Sequence, residues 1–250
     1  MAHRSPVAKR VCLLTGASGT LGTEFCRLFK RDYDIAAAYG CNPVQLPSQH
    51  HKIIDPLNPR QLSGDLPSVF SIQADLLDDF NIARVVELTL ARFEKIDLLV
   101  NAAVYSYWAP AVDSNELLDN AMLQFELNVV VPLKLSVLIC RSFWRDRQPE
   151  NRAANRNIIN VSSSAGVYVY PNYGQSIYSA SKAALNYLSC HMAHEFGQFG
   201  IRVNALAPNA FPRNVTTQRV AKSIRRLDQQ SMTGQILIVD TGGDQLYAPT

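Results

Sequence analysis

Residues 11–29, VCLLTGASGTLGTEFCRLF, constrain the fold more than any other part of the chain. A short apolar run over residues 11–14 leads into Gly16, Gly19 and Gly22, and then into a helix whose Leu21, Phe25, Leu28 and Phe29 fall on one face. Strand, glycine turn and helix in that order open a parallel α/β sheet and provide the context of a dinucleotide site. Glycines let the backbone turn tightly and come close to a pyrophosphate, and the helix N-terminus attracts the negative charge.

The pattern then repeats. Apolar runs at 35–39, 69–73, 97–104, 157–161, 200–208 and 232–243 alternate with helical stretches at about 78–93, 114–144, 177–197 and 216–227. This alternation predicts one α/β domain over residues 1–250, a Rossmann-type doubly wound parallel sheet of about seven strands. Two parts depart from it. Residues 1–10 are expected to be flexible, and Pro43, Pro47, Pro56, Pro59 and Pro67 predict irregular structure over 43–68. Pro132 should kink the long stretch at 114–144.

Chemistry concentrates between Ser163 and Lys182. Tyr178 and Lys182, four apart in the helix IYSASKAALNYL, share one face. A cation beside a phenol favours its ionised form, so Tyr178 is expected to have a lowered pKa and to move a proton near neutral pH. Ser163, at the end of the strand NIINVSSS, is placed to hydrogen-bond a reacting oxygen.

The SSSAG run, the string YSASKAAL and the later GIRVNALAP together resemble the short-chain dehydrogenase/reductase family in its short single-domain branch, from about Val11 to Gly243. The resemblance implies a nicotinamide-dependent oxidoreductase that moves a hydride between the cofactor and a ketone or secondary alcohol. By the same resemblance Asn128, Ser163, Tyr178 and Lys182 are the catalytic set: Tyr178 as general acid, Lys182 on the nicotinamide ribose, Ser163 on the carbonyl and Asn128 supporting a proton relay. The cofactor would contact the turn Gly16, Ser18, Gly19, Thr20, Leu21 and Gly22, then Tyr39, Asp75, Leu76, Asn101, Ala102, Ala103 and Pro208, besides Tyr178 and Lys182. Tyr39 stands where NAD-specific relatives carry a ribose-binding acid, which favours NADP(H) while leaving NAD(H) possible. Thr20, Ala102, Val104 and Asn209 depart from the family's pattern, and the stretch after Pro208 is short where many relatives carry a longer substrate-covering segment. These departures keep a second reading open, a cofactor-binding regulator or scaffold without turnover. Relatives pair through helices like the one at 177–197, so a homodimer or homotetramer is expected.

Tyr105, Tyr107, Trp108, Tyr168, Tyr170, Tyr173 and Phe211 suggest an aromatic-lined cleft for a flat or bulky carbonyl compound. With 24 basic and 21 acidic residues, a net charge of +3 gives no argument for nucleic acid. Arg141, Arg145, Arg147, Arg152 and Arg156 read as a solvated surface. Five scattered cysteines without a C-x-x-C pair read as reduced thiols. No apolar run of signal-peptide or membrane-span length is evident, so a cytoplasmic protein is expected, with no membrane partner. His50 and His51 are adjacent and lack a third ligand, so no metal is expected; with Lys52 they are candidates to supply positive charge at a 2′-phosphate.

Overall fold

The computed structural model describes residues 9–45, 69–171 and 173–248. The expected flexible terminus through residue 8, and residues 46–68 with His50, His51 and Lys52, lie outside the described residues. Pro43 to Gln45 form neither helix nor strand.

Among the described residues eight strands make one sheet: β1 (Arg10–Thr15), β2 (Tyr33–Tyr39), β3 (Val69–Gln73), β4 (Leu98–Asn101), β5 (Asn157–Val161), β6 (Arg202–Pro208), β7 (Ile236–Asp240) and β8 (Gly243–Tyr247). Their order is β3-β2-β1-β4-β5-β6-β7-β8, parallel except for β8, which returns antiparallel on β7. One strand goes beyond the seven or so expected: β8, GDQLY, is a half-exposed edge strand without the apolar run that marks the others. Arg10, within the stretch expected to be flexible, is the first residue of β1.

Both faces of the sheet are covered, so its strands carry apolar residues on both sides. Alternation sorts them. Cys12, Leu14, Ile35 and Ala37 face α1 (Thr20–Phe29) and α7 (Thr217–Gln229), joining Phe25, Phe29, Val220, Ile224 and Leu227. Leu13, Ala36, Leu99, Ile158 and Val203 face the opposite layer, with α2 (Asp79–Phe93), α4 (Val131–Ile139) and α6 (Ser176–Gly197). The chain turns from one side of β1 to the other between β3 and β4, which opens a crevice at the carboxyl ends of β1 and β4.

The expected interruption at Pro132 takes a specific form. α3 (Asn115–Phe125) runs into a π turn at Glu126–Val130, and α4 starts at Val131, so the proline, which has no N–H to give, sits in a first helical turn. The continuous helical stretch Asn115–Trp144 holds a window of mean hydropathy 1.6, long and apolar enough by those measures to cross a membrane. It is instead a core helix: Val131, Leu135, Ile139 and Trp144 are buried in the sheet's second layer.

Beneath the sheet, away from the crevice, Asp228 is fully buried at the end of α7. It accepts from Arg10 Nε at 3.0 Å, Arg10 Nη2 at 2.9 Å and the Tyr33 hydroxyl at 2.8 Å. One carboxylate thus fastens α7 to β1 and β2. Removing one partner of a buried pair leaves uncompensated charge behind, costing roughly 3–5 kcal/mol. Asp228→Ala is expected to lower unfolding stability by about 3 kcal/mol in urea titration.

Candidate active site

Gly16 follows β1 at φ +65°, a region that disfavours side chains, and a Cβ there would sit 2.7 Å from the Ala102 carbonyl oxygen. Only glycine lets the turn lie so close to the exit of β4. Thr15 draws the same two strand ends together: its hydroxyl accepts from the amides of Ala102 and Ala103, both at 3.1 Å. The departure at Ala102 therefore leaves this contact intact, because it runs through the backbone. Helix α1 begins at Thr20 with no side-chain cap on its first N–H groups and no acid in its first turn. Such an end suits an anion.

Beside this turn lies a cleft of about 500 Å³ lined by Gly16, Ser18, Gly19, Tyr39, Asp75, Leu76, Ala102 and Ala103. Thr20 lines an adjoining cleft with Ser18, Asn42 and Thr217. The glycine-cleared backbone and open helix end fit a dinucleotide. Other expected cofactor residues stand elsewhere. Leu21 and Gly22 are on the buried face of α1, Asn101 is buried with its amide on Asn160 Oδ1 at 2.8 Å, and Pro208 lines a second cleft.

That second cleft, about 380 Å³, is lined by Ser163, Tyr178, Trp108, Tyr170, Tyr173 and Phe211 among others. The Trp108 and Tyr178 rings lie 5.7 Å apart at 52°. Three other expected aromatics do not line it: the Tyr105 hydroxyl donates to Asn120 Oδ1 at 2.6 Å, the Tyr107 hydroxyl bonds the Glu116 carboxylate, and Tyr168 is exposed.

Tyr178 and Ser163 line the same cleft, close enough that the serine hydroxyl acts on the phenol's titration. Lys182 lies one turn further along α6, with Nζ 5.9 Å from the Tyr178 ring centroid and donating to the Val161 carbonyl at 2.9 Å. Its main-chain carbonyl accepts from Ser162 Oγ at 3.0 Å. Gly166 presses on the same helix, where a Cβ would be 2.6 Å from the Lys182 backbone. Ser162, Gly166 and Thr15 were not singled out as site residues in the sequence; their part is visible once the backbones are seen to touch.

Asn128 lies in the π turn and is fully buried. Its Nδ2 donates to the Tyr105 carbonyl at 2.9 Å and to Ser181 Oγ at 3.0 Å, while Oδ1 accepts from the Tyr105 amide at 2.9 Å. Ser181 Oγ in turn donates to the Tyr178 carbonyl at 2.7 Å. The amide thus joins the exit of β4 to the turn of α6 that carries Tyr178.

Electrostatically, the expected lowering of the Tyr178 pKa is reversed. Burial pushes the phenol above its ordinary value, and the Ser163 hydrogen bond only partly opposes this. Lys182, buried without a carboxylate partner among the described residues, is brought down to about 7, chiefly by desolvation. A lysine that is half neutral near pH 7 is a weaker cation for its neighbour than sequence spacing implies. Among the described residues no group of His, Cys, Asp and Glu is arranged to hold a metal.

Residues 10–224 match the short chain dehydrogenase family, and the chain belongs to it, a family of NAD(P)-dependent oxidoreductases acting on CH–OH and C=O groups. It is 33% identical over 205 residues to Protein FixR of Bradyrhizobium diazoefficiens, covering 80% of this chain and 66% of that protein. It is 28% identical to the 3-oxoacyl-[acyl-carrier-protein] reductase FabG of Thermotoga maritima, covering 86% of this chain and 79% of FabG. Its fold is that of a short chain dehydrogenase from Mycobacterium avium, at TM-score 0.76 and 22% identity, covering 96% of this chain and 86% of that one.

Lys182 also makes stability depend on pH. Its folded pKa is lowered to about 7 from 10.5, so between these values the unfolded chain holds the extra proton. Stability must then rise with pH, by at most about 1.4 kcal/mol per pH unit from this group. Above about pH 9 the buried Cys12 and Cys26 thiols, whose pKa values are raised, oppose the trend. Urea midpoints of the cofactor-free protein at pH 7, 8 and 9 are expected to rise more steeply in the wild type than in Lys182→Met.

Proposed function

We propose that this protein is an NADP(H)-dependent oxidoreductase that interconverts a cyclic or aromatic ketone and its secondary alcohol. The observation that carries this reading is that Ser163 and Tyr178 line one aromatic cleft with buried Lys182 5.9 Å from the Tyr178 ring, on the same edge of the sheet as the cleft beside the glycine turn. FabG, by its name a reductase of an oxo group, supports the reaction class.

A bound nicotinamide supplies the hydride in reduction and accepts it in oxidation. Ser163 orients the carbonyl oxygen beside Tyr178, which lines the same cleft. As the carbonyl carbon gains the hydride pair, the C=O π electrons move onto oxygen, which takes the Tyr178 proton. Tyr178 is left as a phenolate. Charge there is stabilised by a protonated Lys182, which a pKa near 7 keeps close enough to titration to exchange its proton. Lys182 would also hold the ribose hydroxyls. Asn128 is a positioning residue, since its amide is engaged with Tyr105 and Ser181.

Replacing Tyr178 with Phe removes the transferable proton and keeps the ring against Trp108. Turnover in Tyr178→Phe is expected to fall at least about a thousandfold, within the range one proton-transferring group contributes, with cofactor affinity within a few fold. Substantial residual activity would sink the assignment. Wild-type NADPH binding without oxidation of NADPH by any carbonyl in a broad panel would favour the regulator or scaffold reading.

Cofactor preference follows from Tyr39. At its edge of the cleft, Tyr39, Gly40 and Cys41 present no carboxylate to repel a 2′-phosphate; Asp75 is the single acid lining the cleft among the described residues, and its Oδ1 accepts the Leu77 amide at 3.0 Å. NADPH is expected to bind more tightly than NADH in fluorescence titrations, and the opposite order would overturn the preference. Leu118, Met122 and Tyr187 leave apolar surface on α3 and α6, which supports a homodimer or homotetramer paired through that face.

A further inference from the structure

The cleft that holds Ser163 and Tyr178 has one feature the reaction itself does not use. Arg213, on the segment 209–216 between β6 and α7, lines it from an exposed position. It is the single charged side chain among the lining residues apart from the reacting phenol, and no Asp or Glu lines the cleft among the described residues. Its neighbours along the chain are treated differently. Arg219 and Arg226 both pair with Asp244, at 2.6 and 2.8 Å. The nearby carboxylate of Asp240 accepts from Asn209 Nδ2 at 2.8 Å and the Thr241 amide at 2.6 Å, which hold it well ionised and occupied. Arg213 has no ion-pair or hydrogen-bond partner among the described residues.

An unpaired guanidinium beside apolar walls is an attractive point for an oxyanion. Low-dielectric walls focus its field, and its planar fork matches a carboxylate through two parallel hydrogen bonds. Trp108, Tyr170, Tyr173 and Phe211 supply the walls, while Ser163 and Tyr178 mark the reacting end. We infer that Arg213 is an anion-recognising subsite of this cleft and that the substrate is an aromatic or cyclic carbonyl compound bearing a carboxylate. This rests on the hydride-transfer reading above and deepens it. Because the guanidinium is exposed, its contribution is screened by salt and shows in KM more than in kcat.

The test compares 4-acetylbenzoate with its uncharged methyl ester at saturating NADPH. The acid is expected to have at least about tenfold the kcat/KM of the ester, equivalent to about 1.4 kcal/mol, with the advantage in KM and shrinking as ionic strength rises. Arg213→Gln should abolish that ratio through KM, Arg213→Lys should restore part of it, and Arg213→Glu should invert it. Equal kcat/KM for acid and ester in the wild type, or a ratio untouched by Arg213→Gln, would overturn the inference. If neither ketone is reduced, calorimetric binding of 4-acetylbenzoate to the NADPH complex still reads Arg213. Weaker binding in Arg213→Gln would then support the subsite while the lack of turnover counts against hydride transfer, and equal or absent binding in both proteins would overturn the subsite itself.

Discussion

The contact on which the site depends is that of helix α6 against the end of β5. Three links hold it within a few residues: Lys182 Nζ on the Val161 carbonyl, Ser162 Oγ on the Lys182 carbonyl, and the bare backbone of Gly166 pressed against the helix. Their effect is geometric before it is chemical. Because Lys182 is pinned at the strand end, Tyr178 one turn earlier is delivered to Ser163, which leaves the same strand. The lysine's burial is the cost of this arrangement, and the lowered pKa is its signature.

A buried polar lattice supports that contact from below. Asn101 donates to Asn160, Asn160 to Ser189, and Ser189 back to the Leu185 carbonyl of α6. Above it, Asn128 links Tyr105 to Ser181 and so to the Tyr178 carbonyl. Polar groups in a core are costly unless paired, and paired ones specify a single arrangement. Two strand ends and the π turn are thus registered against one helix. Within this lattice Asn101 Oδ1 is buried without a hydrogen-bond partner among the described residues.

How much of this was legible in the sequence depended on what each feature rests on. β3 could be bounded because its apolar run stops at polar neighbours, and α2 because Asp78 caps it by accepting from the Phe80 amide. The glycine turn was legible because glycine there answers a local need, a positive φ at Gly16. β8 was not, since an edge strand on solvent needs no apolar run. Arg156 was read with its neighbours as solvated, yet it is buried, lying over the Phe143 ring at 4.6 Å and bonding Asp97 and Asn151. Spacing along one chain reports a charge run; the partners that neutralise it come from elsewhere in the fold. The same limit explains Tyr178, where helical spacing correctly paired phenol and ammonium but could not show that both would be desolvated.

The departures at Ala102 and Asn209 illustrate how the site tolerates drift. At Ala102 the contact with Thr15 uses the amide N–H, which every residue but proline has, so the side chain is free to change. At Asn209 the substitution adds structure: its side chain donates to Asp240 and accepts from the Ala210 amide and Asn214 Nδ2. These bonds stiffen the first turn after β6. A short segment with its own hydrogen bonds has little freedom to fold over the cleft, so exclusion of water falls to the rings of Trp108, Tyr170, Tyr173 and Phe211. The cyclic or aromatic substrate proposed above would use that wall, its own flat apolar surface displacing the water that a longer covering segment would otherwise remove.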